Sequence, residues 1–105
     1  MFISLKKVTI IAESLLQEGI VKILKAKGGT GYTVKACTGE GSRGIHASDF
    51  EGRNIQLDTI VRADVGEEIL KEVSERYMKN YALIAYMADV QVVREEKFHR
   101  KSARE

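Results

Sequence analysis

The sequence contains no proline and no tryptophan, and Cys37 is its single cysteine. One cysteine excludes an intrachain disulfide, which fits a protein of the reducing cytosol. The apolar runs are too short to span a bilayer, and the N-terminus lacks the cationic and then apolar layout of a signal peptide. The net charge is only +2, so the sequence carries no strong nucleic-acid signature. We therefore expect a cytoplasmic protein that does not itself span a membrane and does not bind nucleic acid.

The length and composition favour one small globular domain. The chain has 105 residues, of which 44% are hydrophobic and 30% are charged. A domain of this size has a thin core, and oligomerisation would let it bury more surface.

The pattern of apolar residues predicts six elements in the order β-α-β-β-α-β. Strands are predicted over residues 5–12, 32–37, 54–62 and 83–93, and helices begin at Ser14 and Asp64. Both helix starts carry a capping-box pattern, because Gln17 and Glu67 stand three residues further on. Gly28 and Gly29 are expected to end the first helix with a left-handed C-cap. The long apolar run at 83–93 favours a central strand that is buried on both faces.

This order predicts a ferredoxin-like α+β fold, a sandwich in which two helices cover one face of an antiparallel sheet. The other face, called here the open face, would carry Thr9, Ile11, Thr33, Ile60 and part of the last strand. That face is too apolar to remain in contact with water in a monomer. We therefore expect a homo-oligomer that forms through the open face.

Residues 40–53 show neither a helical nor a strand period. A long irregular segment inside a small domain is often functional. The string Gly39-Glu40-Gly41-Ser42-Arg43 could cradle an anion, since glycine lets backbone N–H groups come close and arginine adds a bidentate donor. Taken alone, the spacing favours a plain glycine-rich turn with a solvated arginine by about two to one.

Other chemistry has weak support in the sequence. Cys37, His46 and His99 lack the spacing of metal ligands, so we expect no metal site. Cys37 lies within a strand, without a basic neighbour that would activate it as a nucleophile. Two alternatives stay open: a small acylphosphatase-like enzyme and a structural or metal-binding trimer of the CutA type. The first would need an arginine and an asparagine that residues 12–15 do not supply, and the second would not need a long glycine-rich loop.

The element order, the string Gly31-Tyr32-Thr33-Val34 and the GxGSR string at 39–43 together resemble the PII signalling superfamily. The resemblance runs from about residue 5 to residue 93 and is nearest to its PII-like branch, with SbtB and the carboxysome-associated PII proteins. It implies a non-enzymatic homotrimer that binds an adenine nucleotide (AMP, ADP, ATP or cyclic AMP) in each cleft between subunits. Bicarbonate is a further ligand in the carboxysome-associated form. It also implies a T-loop, here about residues 39–54, that docks on a membrane transporter or another regulated target.

Carried over to this sequence, the resemblance gives a set of nucleotide-binding positions. Arg43 is expected to be the main phosphate ligand and Arg94 the second one. Ile60 and Val61 correspond to the strand that lines the adenine pocket. The other positions hold the base and ribose or form the base of the loop: Gly31, Tyr32, Thr33, Val34, Gly39, Glu40, Gly41 and Ser42.

Three departures from the wider superfamily narrow the implied function. Residues 77–82 stand where typical PII proteins have a glycine-rich B-loop, so ATP-specific binding and 2-oxoglutarate sensing are not implied. The loop at 39–54 has no tyrosine, which excludes control by uridylylation there. The tail lacks the cysteines that many SbtB proteins carry. We expect a PII-like domain at 1–94, a polar tail at 95–105, and a role in regulating bicarbonate transport or carboxysome-linked carbon uptake.

Overall fold

The computed structural model of the protein describes residues 1–29, 31–39 and 54–94. The described elements follow the predicted order, with a short 3₁₀ turn (Ser14–Leu16) ahead of the first α-helix. The strands are β1 (Phe2–Glu13), β2 (Thr33–Cys37), β3 (Asn54–Val61) and β4 (Ile84–Val93), and the helices are α1 (Gln17–Ala26) and α2 (Ala63–Tyr77).

The four strands form one sheet in the order β2-β3-β1-β4, and every neighbouring pair is antiparallel. The two β-α-β units interleave, which puts β1 and β3 in the centre of the sheet. The predicted ferredoxin-like α+β fold is therefore confirmed.

The prediction that residues 83–93 form a central strand is wrong. β4 lies at the edge of the sheet and pairs only with β1 within the described residues. Its side chains alternate between half-buried and exposed, and Ile84 and Tyr86 are among the exposed ones. The run is apolar because side chains on both faces of this edge strand are apolar. Which strands are central depends on how the two β-α-β units interleave, and the composition of a strand does not show this.

The hydrophobic core lies between the sheet and the two helices. In β3 every second side chain faces the core, because Ile55, Leu57, Thr59 and Val61 are all buried. The other buried core residues come from β1, the 3₁₀ turn, α1 and α2: Val8, Ile10, Ala12, Leu16, Ile20, Ile23, Leu24, Ile69 and Val73. Full burial of an isoleucine or leucine contributes about 1.5–3 kcal/mol, so this layer is the main source of stability.

The C-terminus of α1 has the predicted left-handed glycine. Gly28 has φ 104°. Its backbone N–H donates to Lys25 O at 3.3 Å, and that of Gly29 donates to Leu24 O at 2.8 Å. This pair of hydrogen bonds is a Schellman motif, and it turns the chain from α1 towards β2.

The two predicted capping boxes are wrong. Within the described residues neither helix start has a side-chain capping hydrogen bond. Ser14 opens the 3₁₀ turn, so α1 begins only at Gln17. α2 begins one residue earlier than predicted, and Asp64 inside its first turn pairs with Arg62.

β1 and β4 extend beyond the end of β3. The last residue of β3, Val61, pairs with Lys6, whereas residues 2–5 of β1 pair only with residues 90–93 of β4 within the described chain. These two stretches form a two-stranded arm. At its tip the backbone N–H of Arg94 donates to Met1 O at 3.0 Å, which places Arg94 at one extreme of the sheet.

Candidate functional site

The segment before β2 is fixed against the end of β3. Thr59 is buried, and its Oγ1 donates a hydrogen bond of 2.6 Å to the carbonyl oxygen of Gly31. This bond joins Gly31, which lies just after the C-cap of α1, to the strand that carries Ile60. Two of the predicted ligand-holding stretches are thereby brought together at one end of the β2–β3 ladder.

On the open face, this end of the ladder presents Thr33, Asp58 and Ile60. Thr33 lies directly opposite Asp58 in the antiparallel register, and Ile60 follows on the same face because strand side chains alternate. Ile60 is 42% exposed. The predicted positions Val34 and Val61 point the other way, since Val34 packs against the core and Val61 belongs to it. Only the backbone atoms of these two residues are available to a ligand on the open face.

Asp58 is a candidate site residue that was missed in the sequence. Its Oδ1 accepts a hydrogen bond of 2.6 Å from Thr9 Oγ1, and its Oδ2 accepts one of 3.2 Å from Gln56 Nε2. A carboxylate has about four acceptor positions, so capacity is left for hydroxyl donors of a ligand. The sequence feature that could have indicated Asp58 is its position: it is an acidic residue on the outward face of a predicted strand, two residues before Ile60.

The base of the predicted T-loop lies at the other end of the ladder. β2 ends at Cys37, opposite Asn54, and Gly39 lies two residues further on at an exposed position. Four residues of strand separate Thr33 from Cys37, which corresponds to about 13 Å. Glu40, Gly41, Ser42 and Arg43 lie outside the described residues, so the predicted anion cradle is represented here by Gly39 alone.

Arg94 occupies a third position. It lies opposite Met1, whereas Ile60 lies opposite Lys7, six residues further along β1. Asn54, at the base of the loop, lies opposite Glu13, twelve residues from Met1. At the rise of a strand these offsets correspond to about 20 Å and about 40 Å.

Tyr32 lies apart from Thr33. It lines a groove on the helix-covered side of the sheet, together with residues of α1 such as Val21 and Lys25. Its side chain is 43% exposed. The predicted stretch 31–34 therefore offers Thr33 to the open face and Tyr32 to a different surface.

One ion pair sits just beyond β3. Arg62 donates from Nε to Asp64 Oδ1 at 3.1 Å and from Nη2 to Asp64 Oδ2 at 2.6 Å. The hydrogen bond from Arg62 lowers the pKa of the Asp64 carboxyl below its ordinary value. This arginine is two residues from Ile60, and the Asp64 carboxylate occupies two of its five N–H donors.

In the part of the chain that the structure describes, no group of three or more His, Cys, Asp or Glu side chains is arranged to hold a metal ion. Neither of the described α-helices has the length and apolar character needed to span a bilayer.

The chain matches one family model and is similar to several solved structures. The family model of nitrogen regulatory protein P-II matches residues 5–97. None of the curated protein sequences matches this chain. A crystal structure of a protein assigned as a PII-like signalling protein, from Thermus thermophilus, is 49% identical, with 92% of this chain and 97% of that chain covered and a TM-score of 0.77.

Two structures of CPII, a nitrogen regulatory PII-like protein from Thiomonas intermedia K12, are also similar. The complex of CPII with ADP, AMP and bicarbonate is 25% identical, covers 90% of this chain and 99% of that one, and has a TM-score of 0.77. The complex with ADP and bicarbonate is 26% identical, covers 93% and 97%, and has a TM-score of 0.78. The family match spans most of the chain, and the first structure is similar over nearly its whole length. This chain therefore belongs to the nitrogen regulatory protein P-II family, as a PII-like signalling protein.

Proposed function

We propose that this chain is a non-enzymatic homotrimer that binds AMP, ADP, ATP or cyclic AMP in clefts between its subunits, together with bicarbonate, and signals the bound state through residues 39–54. The P-II family match supports a signalling function over an acylphosphatase-like enzyme or a CutA-like scaffold. The complexes of CPII with ADP, AMP and bicarbonate support this choice of ligands.

The observation that carries the proposal is the separation of the predicted nucleotide-binding positions. Arg94 and the base of the loop at Gly39 lie near opposite ends of the sheet, with Gly31, Thr33 and Ile60 between them. One subunit cannot bring both ends to one nucleotide, because about 40 Å of strand separates them. A cleft between two subunits can do so, since each subunit contributes a different end.

The chemistry of the positions suits an adenine nucleotide. Ile60 offers an exposed apolar side chain to the adenine ring, and Asp58 with Thr33 offers hydrogen-bond partners to the ribose hydroxyls. Arg43 and Arg94 are the proposed phosphate ligands, with backbone N–H groups of residues 39–42 completing an anion site. The same backbone groups, with their affinity for small anions, are the proposed bicarbonate contacts.

The proposed trimer forms through the open face. Ile60, Ile84 and Tyr86 are exposed there although they are large and apolar. Contact with neighbouring subunits would remove them from water, and at about 25 cal/mol for each Å² this burial favours association.

Residues 39–54 are proposed to act as a T-loop in a PII-like domain at 1–94, with residues 95–105 as a polar tail. A ligand that contacts one arrangement of the loop better than another shifts the population towards that arrangement. A partner that recognises one arrangement then responds to the nucleotide. We propose a cytoplasmic protein whose partner is a bicarbonate transporter or another component of carboxysome-linked carbon uptake.

Isothermal titration calorimetry of the full chain with AMP, ADP and ATP tests the proposal. We expect saturable binding of at least one nucleotide, with one site for each subunit, and a change in affinity when bicarbonate is added. Light scattering is expected to give the mass of three chains. If no heat of binding is measured at millimolar nucleotide, the chain does not bind these ligands. If the protein binds nucleotide fully but has the mass of a monomer, the site is not formed between subunits.

A further inference from the structure

A groove on the outer surface is separate from the open face. It follows α1 from the β1–α1 junction to the start of β2 and encloses about 480 Å³. We call it the α1 groove. The lining residues that matter here are Leu15, Glu18, Val21, Lys22, Lys25 and Tyr32.

The apolar part of the α1 groove is accessible to a partner. Leu15 is 66% exposed and Tyr32 is 43% exposed, although both are large apolar side chains. Val21 lies between them in sequence and is half-buried. Tyrosine combines a large contact area with little conformational entropy, which is why it is enriched in recognition surfaces. The groove therefore offers two anchoring positions for apolar side chains of another molecule.

The charged part of the α1 groove carries two lysines that lack a carboxylate partner among the described residues. Lys22 and Lys25 are three residues apart, so they lie on the same side of α1. Neither forms an ion pair with any described residue, whereas the next lysine, Lys27, lies 3.6 Å from Glu68 and 3.8 Å from Glu72 of α2. Two such ammonium groups beside an apolar strip fit a ligand that combines carboxylates with apolar side chains.

We propose that the α1 groove docks an acidic, amphipathic segment of a partner protein. Its carboxylates pair with Lys22 and Lys25, and its apolar side chains cover Leu15 and Tyr32. Charge complementarity selects this partner, since the two cations lie along one helix at a spacing that an extended or helical peptide can match.

Two other ligand classes fit less well. Small-molecule sites usually enclose most of the ligand, whereas Leu15 and Tyr32 leave this groove open along its length. Nucleic acid and anionic membranes are bound by larger clusters of basic residues, and here Glu18 offsets one of the two lysines.

The proposal is independent of the nucleotide site. Tyr32 lies on the helix-covered side, whereas its neighbour Thr33 lies opposite Asp58 on the open face. A test without nucleotide therefore separates failure of the α1 groove from failure of the proposed nucleotide site.

The test is a selection of 12-residue peptides from an unbiased displayed library on the full chain without nucleotide. Selected peptides are then synthesised with a fluorescent label, and their binding is measured by anisotropy. We expect the selected sequences to combine two or more Asp or Glu residues with Leu, Phe or Tyr, and their affinity to fall as salt is raised.

Matched variants locate the site. The pair Lys22→Glu and Lys25→Glu is expected to weaken binding at least tenfold, and Leu15→Ser at least threefold. The control pair Lys71→Glu and Lys79→Glu makes the same change of net charge at exposed positions in and just after α2 that have no ion pair with described residues. It is expected to leave binding unchanged. None of these lysines belongs to the buried core, so circular dichroism should give the same fold for each variant.

Three results would overturn the proposal. The first is a set of selected peptides that is not acidic. The second is equal weakening by the α1 and α2 charge reversals, which would indicate attraction by net charge alone. The third is stronger binding of phosphatidylserine vesicles or a single-stranded oligonucleotide than of any peptide, with loss of that binding in the Lys22→Glu and Lys25→Glu variant.

Discussion

Thr9 Oγ1 donates a hydrogen bond of 2.6 Å to Asp58 Oδ1 across the two central strands. The two residues are direct cross-strand partners, and Thr9 is fully buried although it lies on the open face. Gln56 supplies a second donor to the same carboxylate. The bond therefore satisfies a buried hydroxyl and at the same time fixes the orientation of the carboxylate beside Thr33.

The first prediction concerns the stability of this pair. Asp58→Ala leaves the Thr9 hydroxyl buried without a partner, and we expect it to lower the free energy of unfolding by about 1–3 kcal/mol. In a Thr9→Val background the same change should cost less, because no hydroxyl is left unsatisfied. Urea denaturation of the four proteins at one fixed chain concentration measures the coupling. Equal costs in the two backgrounds would show that the hydrogen bond contributes nothing to stability.

The second prediction concerns the bond between Thr59 and Gly31. Thr59→Val keeps the shape of the buried side chain but removes its donor, so we expect a loss of about 1 kcal/mol in stability. Because the bond fixes the segment before β2, nucleotide affinity should fall as well. Ser74→Ala is the control for stability, since Ser74 is exposed on α2, away from the open face, and surface changes usually stay within about 0.5 kcal/mol. An unchanged urea midpoint in Thr59→Val would show that the hydrogen bond from Thr59 to Gly31 does not stabilise the fold.

The elements of the fold were predictable where local pattern decides them. The alternation of β3 reflects burial of one face, and the Schellman motif at Gly28 reflects the freedom of glycine at positive φ. The capping boxes failed because the pattern of Ser14 with Gln17, or Asp64 with Glu67, does not show where the helix starts. α1 begins at Gln17, after the 3₁₀ turn that Ser14 opens, and α2 begins at Ala63, so that Asp64 lies inside the first turn and pairs with Arg62.

The edge position of β4 could not be read from its residues. An apolar run indicates that both faces will meet apolar surroundings, but it does not say whether a strand of the same chain or another subunit supplies them. Ile84 and Tyr86 are exposed among the described residues, and in the proposed trimer a neighbouring subunit would cover them.

The resemblance predicts site positions in the stretches around Gly31 and Ile60, and the structure joins these two stretches through Thr59. Asp58 was missed because a carboxylate on the outer face of a strand is the ordinary pattern of a solvated position. The distance between Arg94 and the loop base could not be predicted from the sequence either, because it depends on the register of the strands and not on the number of residues between the two positions.

The third prediction concerns pH. The hydrogen bond from Arg62 lowers the pKa of Asp64 below its ordinary value of 3.8. A carboxyl with a lowered folded-state pKa contributes stability above its unfolded-state pKa and loses it as pH falls through the folded-state value. Both side chains are exposed, so the contribution to stability is small and the titration itself is the better measurement. Carboxyl ¹³C NMR should give Asp64 a titration midpoint below 3.8, and this midpoint should rise in Arg62→Gln. A midpoint that is the same in Arg62→Gln would show that Arg62 does not lower the pKa of Asp64.

The fourth prediction concerns the two phosphate ligands. Arg43→Ala is expected to weaken nucleotide binding by about tenfold to a hundredfold, because a hydrogen bond to a charged group contributes about 1.5–3 kcal/mol. Arg94→Ala should have a similar effect. Arg76→Ala is the control, since Arg76 lies on α2 and pairs with Glu72 at 2.5 Å. Light scattering should give an unchanged mass for all three variants.

Mixing the Arg43→Ala and Arg94→Ala variants tests whether the site is shared between subunits. Arg94 lies about 40 Å of strand from the loop base in its own chain, so the two arginines can reach one phosphate only from different subunits. If each cleft takes one end from each neighbour, random reassembly of the two variant chains leaves about a quarter of the clefts with both arginines. Calorimetry of the reassembled mixture should then recover high-affinity binding with that reduced number of sites. If both ligands came from one chain, no cleft in the mixture would hold both arginines and high-affinity binding would stay absent.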